Sequence, residues 1–183
     1  MALPLLVAAC GNSDKIPGSI LAKARPIGGQ VRFHPPTPNR AVPSCAPGIG
    51  AREAAHVELF AADRVVLMPA GIGTQGPRRF FAGRVERARC YGDAVTLEPT
   101  GIVLVRRGKH LRLADLFRLW GLPLTRTRLG SFPAGADGVQ VYVNGRHVQV
   151  DPRRVALTRH AQIVLEVGPP VPPHSSFTFP RGY

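Results

Sequence analysis

Between Val42 and Gly168 apolar residues mostly fall at every second position, and only once at helical spacing. "HVELF" (56–60) and "RVVLMPA" (64–70) flank a short Ala-Ala-Asp turn, a pattern that predicts a β-hairpin. "GIGTQGP" (71–77), dense in glycine and closed by proline, predicts a loop. "FFAGRVERARC" (80–90) alternates from Val85 onward and predicts a strand. "AVTLEPTGIVLV" (94–105) is apolar enough for two short strands or one kinked strand, broken at Pro99 and Gly101. In "LRLADLFRLWG" (111–121), Leu113, Leu116, Phe117 and Trp120 recur at i, i+3, i+4 and i+7, and Gly121 stands where a left-handed cap ends a helix. "VQVYVNGRHVQV" (139–150) sets two alternating runs about Asn144-Gly145, the pair that favours a type I′ hairpin turn. "QIVLEVG" (162–168) reads as the last strand.

The order β-β, β-β, α, β-β, β predicts an α+β domain over 42–168, one amphipathic helix on a mixed or antiparallel sheet, with a β-grasp-like topology. Residues 10–41 form a Pro/Gly-rich tether, punctuated by Pro17, Pro26, Pro35, Pro36 and Pro38. Residues 169–183, ending "FTFPRGY", are a Pro-rich tail that is able to lie across the domain but not to form a central strand.

Composition adds electrostatics. The formal net charge is +13, and arginine supplies 21 of the 24 basic residues. These arginines are scattered, with neither a basic helix nor the aromatic-basic interleaving of a single-strand binder, so nucleic acid is not the expected partner. An anionic envelope polymer or a lipid headgroup fits the charge better. No stretch approaches the roughly 18–20 uninterrupted apolar residues of a membrane-spanning helix.

The chain opens "MALPLLVAACGNSD", where an apolar run ends at Cys10 and turns polar at once. That is the shape of a signal-peptide h-region over residues 1–9 meeting its cleavage site. "LVAAC" resembles the lipobox of bacterial lipoproteins, in which the cysteine is lipidated; no positive stretch precedes it, so the true start is expected upstream. If Cys10 carries lipid, Cys45 and Cys90 remain and are able to pair in an oxidising compartment, closing a loop of about 45 residues worth on the order of 3–4 kcal/mol. In the cytosol all three would be free thiols.

"MPAGIG" (68–73), "LRLADLFRLWGLPLT" (111–125), "VYVNGRHVQVDPRRVALTRHAQIVLEVGPPVPP" (141–173) and the closing "FTFPRGY" together resemble a family of uncharacterised secreted or membrane-anchored bacterial proteins frequent in actinobacteria. The likeness spans about residues 42–183 and is most specific in its C-terminal third. The resemblance implies a histidine-rich site, with a His-x-His-x-His-like strand at "HVELF" and a His-Thr-His-Asp stretch followed by Gly-Ile-Ile-His at "VTLEPTGIVL". Here the corresponding residues are Val95, Leu97, Glu98 and Leu104, three of them unable to bind a metal. His56, Glu58 and Glu98 are the remaining candidate Zn²⁺ or Cu²⁺ ligands, His56 and Glu58 sharing one strand face by period-two spacing.

For catalysis the sequence offers little. There is no Gly-x-Ser-x-Gly, and the Gly71-Ile72-Gly73-Thr74-Gln75-Gly76 match to a dinucleotide loop lacks a following helix. His110, His147, His160 and His174 show no ligand spacing with one another, and His160 reads as a hydrogen-bonded turn residue. The sequence therefore predicts a non-catalytic protein without cofactor, lipid-anchored at the outer face of the cytoplasmic membrane and binding a protein or envelope component. The alternative is a metal-binding envelope protein that uses the reduced His/Glu set.

Overall fold

In the computed structural model of the chain, residues 41–61, 64–168 and 176–183 are described. The leader over 1–9, Cys10 and all but the last residue of the tether lie outside them, as do residues 169–175. The molecule is mostly β: strands β1 Arg52–Ala61, β2 Arg64–Val65, β3 Thr74–Phe81, β4 Arg84–Tyr91, β5 Ala94–Val95 and β6 Ile102–Arg106 precede the single α-helix, α1 Leu113–Trp120. There follow β7 Leu124–Thr125, β8 Arg128–Leu129, β9 Phe132–Pro133, β10 Gln140–Val143, β11 Arg146–His147, a 3-10 turn at Pro152–Arg154, and β12 Gln162–Val167.

Seven strands form one mixed sheet, ordered β11-β10-β12-β1-β6-β5, with β2 on the end of β1. The first and last strands are its parallel centre, His56 opposite Gln162 through Ala61 opposite Val167. β6 runs antiparallel on one side of β1 and the β10–β11 hairpin continues antiparallel from β12 on the other. A parallel central pair with an antiparallel neighbour on each side, and one helix between the halves, make the mixed sheet with a single helix that the element order predicts.

The local reasons are those the pattern encodes. Leu113, Leu116, Phe117 and Trp120 are the buried stripe of α1, Gly121 caps it at φ 84°, and the Asp115 carboxylate accepts the Arg112 amide at 2.9 Å. The helix begins after Arg112 rather than at Leu111, because Arg112 is extended and bridges Ala156. Asn144 and Gly145 take φ of 50° and 75°, the left-handed pair that a type I′ turn needs. Alternate residues of the sheet divide into two cores. Ala55, Val57, Leu59, Val103, Ile163 and Leu165 join α1 in the larger, while Ala54, Val95, Ile102 and Leu104 face the smaller.

Three expectations need correction. Thr74–Pro77 is not loop but the start of β3, which pairs with β4 across Ala82-Gly83; Pro77 is tolerated because it falls within the register shift between Gln75 and Arg78. The strand foreseen over 64–70 pairs only at Arg64 and Val65, after which the chain bends under the sheet so that the Pro69 carbonyl accepts the Thr96 hydroxyl at 2.7 Å. A small antiparallel sheet, β7-β8-β9, was not foreseen at all, each strand being two residues long.

Candidate functional site

β1 is buried on both faces, and the residue it places at the centre of the face opposite α1 is an imidazole. His56 is 4% exposed. Its Nε2 lies 3.0 Å from the Thr100 carbonyl, and its Nδ1 lies 3.8 Å from Glu58 Oε1, two residues along the same face. The Thr100 carbonyl is only an acceptor, so Nε2 carries the proton and donates. The Pro99-Thr100-Gly101 break between β5 and β6 is therefore shaped around this ring. Gly101 takes φ +79°, and a Cβ there would stand 2.6 Å from the Val57 carbonyl oxygen and 3.0 Å from His56 Nε2. Only glycine allows this backbone to close on the imidazole.

The other face of the ring is covered by the C-terminal segment. Phe177 stacks on His56 with centroids 3.6 Å apart and planes within 8°. Phe179 meets Phe177 edge-on at 5.0 Å and stacks on His160 at 4.6 Å. Gln162, the register partner of His56, holds the segment by its carboxamide: Nε2 donates to the Phe177 carbonyl at 3.1 Å and Oε1 accepts the Phe177 amide at 2.8 Å. His160, in a turn at φ 57° as a hydrogen-bonded turn residue, places Nε2 2.8 Å from the Tyr183 main-chain oxygen. Residues 176–183 thus lie across the domain as a strap, with no strand among these described residues.

Burial pushes the His56 pKa below its ordinary 6.5, while the Glu58 carboxylate and the Thr100 carbonyl pull the other way. The ring is a neutral, capped group at neutral pH.

Of the residues that the sequence singled out, His56 and Glu58 meet. Glu98 does not complete a ligand set with them: its Oε1 is held by Arg84 Nη1 at 2.7 Å. Among the described residues no group of three or more His, Cys, Asp or Glu is placed to hold a metal ion. The described donors thus number fewer than the three or four that the Zn²⁺ or Cu²⁺ site implied by the resemblance takes. Val95 and Leu104 are register partners buried in the smaller core, and Leu97 packs on it. The space left between Leu97, Glu98, Thr100, Ile102, Leu104 and Tyr183 has room for about one water.

Cys45 and Cys90 form a disulfide with Cα atoms 5.4 Å apart, tying residues 41–51 to β4 beside the Ala46–Tyr91 bridge. Such a bond marks a domain that matures outside the reducing cytosol. No helix among the described residues is long and apolar enough to cross a membrane.

Sequence reasoning missed Phe177, Gln162 and Thr100. The period of the strands placed His56 on a face, but nothing local announces which distant residues cover that face. The only signal was the alternation of Phe177 and Phe179 in a tail otherwise of loop composition. No family model matches the chain, and neither a curated protein nor a solved structure is significantly similar to it.

Proposed function

We propose that this chain is a non-catalytic, lipid-anchored protein of the bacterial cell envelope. Its domain stands at the outer face of the cytoplasmic membrane and binds a protein partner or another envelope component there. The observation that carries this reading is the Cys45–Cys90 disulfide. It consumes two of three cysteines and leaves Cys10, behind an apolar run and before Gly-Asn-Ser-Asp, as the lipidated residue. The capped histidine agrees with it: a ring stacked by Phe177 and bonded to Thr100 offers a substrate no access. The resemblance to secreted and membrane-anchored actinobacterial proteins supports the same location.

The test is metabolic labelling with an alkyne fatty acid, followed by fractionation. The full chain is expected to take up label and sediment with membranes, and Cys10→Ser is expected to lose both. A soluble, unlabelled cytosolic protein with three titratable thiols would overturn the reading. Metal binding at His56, Glu58 and Glu98 starts from two donors rather than three. Stoichiometric Zn²⁺ or Cu²⁺ uptake by the full chain, abolished in His56→Ala, would instead establish it.

A further inference from the structure

The β3–β4 hairpin stands apart from the seven-stranded sheet as its own two-stranded unit. Its inner residues, Val85, Ala88 and Tyr91 with the partly buried Phe80, belong to the smaller core. Its tip does the opposite. Phe81, immediately before the left-handed Ala82-Gly83 turn, is 74% exposed, the most exposed of the large apolar residues among those described. Around it the hairpin carries Arg78, Arg79, Arg84, Arg87 and Arg89. Arg79 pairs with Glu86 at 2.8 Å and Arg84 with Glu98 at 2.7 Å. Arg78 binds only the Thr74 hydroxyl and carbonyl, and among the described residues no carboxylate pairs with Arg78, Arg87 or Arg89. The unit therefore shows an aromatic ring at its point and uncompensated guanidinium groups along its sides.

We infer that this hairpin is a docking element for an anionic phospholipid bilayer, Phe81 entering the headgroup–acyl boundary while Arg87 and Arg89 bind lipid phosphates. Three considerations select that occupant. Guanidinium groups match phosphate oxygens in a bidentate geometry, and basic residues are drawn to anionic lipid headgroups. A soluble polyanion would use the arginines but gain nothing from the ring. A folded protein partner needs on the order of 800 Å² from each side, which a convex two-residue turn does not offer, whereas a fluid interface reshapes around a wedge. The inference rests on the reading that the domain stands at a membrane, but not on the anchor itself, so the two fail separately.

The experiment uses the full, unacylated chain and vesicles of phosphatidylcholine with or without phosphatidylglycerol, read by co-sedimentation. Binding is expected only with phosphatidylglycerol, weakening with salt. Phe81→Ser should lower the partition coefficient about tenfold, the worth of burying one large apolar side chain. Arg87→Gln combined with Arg89→Gln should lower it about 25-fold, at about fivefold per basic residue. Both sites are exposed, and an unchanged near-ultraviolet spectrum shows that the fold is kept. In a Trp120→Phe background, Phe81→Trp should shift its emission to the blue on phosphatidylglycerol vesicles and be quenched by brominated acyl chains. Absence of binding, equal binding to both vesicles, or binding that survives Phe81→Ser and is competed away by soluble polyphosphate would each overturn the proposal. The first result would leave acylation at Cys10 to stand or fall by its own labelling.

Discussion

The two faces of the seven-stranded sheet are closed by different physics. On one, α1 and the small β7-β8-β9 sheet bring Leu113, Leu116, Phe117, Trp120 and Leu129 into a single cluster with Val57, Leu59, Val103, Ile163 and Leu165. On the other, the β3–β4 hairpin, the disulfide-tied segment 41–51 and the C-terminal strap cover a surface whose centre holds His56, with Glu58 beside it and Gln162 and Glu166 across on β12. The first face needs area and volume, and many apolar sequences would supply them. The second needs particular donors and acceptors to meet, since an unpaired imidazole or carboxamide at that depth is costly. One face is packed, the other is fastened.

The sharpest way to break that contrast is to unfasten the second face where the fastening is covalent. Replacing Cys45 and Cys90 by alanine together releases a closure of 45 residues, for which the loop-entropy account gives a loss of about 4 kcal/mol. A fall in the unfolding free energy from urea titrations checks this, with the m-value rising as the unbridged unfolded chain opens. No change would mean that the strap and hairpin hold residues 41–51 without the bond.

The helix face should respond nearly as strongly to a loss of volume. Leu165, fully buried on β12 between β1 and β10, should cost about 3 kcal/mol as Leu165→Ala. It should leave the His56 resonances in place, because the cavity opens on the opposite side of the sheet. Phe177→Ala should do the reverse. A half-buried ring lost from the strap costs about 2 kcal/mol, and it uncovers His56, so that the imidazole pKa moves up towards the ordinary 6.5. Two-dimensional NMR of the histidine ring protons separates the two variants. Equal shifts of His56 in both would dissolve the distinction between the faces.

The same contrast explains what the sequence made legible. The packed face was readable because its information is periodic: α1 emerged from four residues at helical spacing and β12 from one apolar run. Asn144-Gly145 announced its hairpin because left-handed backbone at two successive residues has few chemical solutions. The β3–β4 turn gave no such signal, since Ala82 adopts φ 48° without being Asn, Asp or Gly, and Gly76 with Pro77 inside β3 read as loop. The strands β7, β8 and β9 are too short to show any period. At the site, strand alternation put His56 and Glu58 on one face, but the choice of Thr100, Gln162 and Phe177 as their company is made by contacts between residues far apart in the chain, Thr100 lying 44 residues from His56. Glu98 was grouped with them on the resemblance to a histidine-rich family, whereas Arg84 holds it.

The smallest effect is also the most diagnostic of the fastened face, because it titrates. His56 is held below its ordinary pKa of 6.5 by burial, so in an acidic window the unfolded chain binds a proton that the folded chain refuses. Stability therefore rises with pH across that window: it is present in full above about 6.5 and is lost as the pH falls below it. The groups facing the ring sharpen the sign. Glu58 would welcome a protonated His56 and the Thr100 carbonyl already takes one N–H. Phe177 of the strap and the Gln162 carboxamide of β12 are neutral, so neither compensates a buried cation. Urea midpoints taken at neutral pH and at about pH 5, still above the usual carboxylate range, should differ in the wild-type chain. In His56→Gln, whose carboxamide is able to donate to the same Thr100 carbonyl, the difference should shrink. If the two chains lose stability equally on acidification, the sensitive group is elsewhere, and the strap holds His56 as tightly charged as neutral.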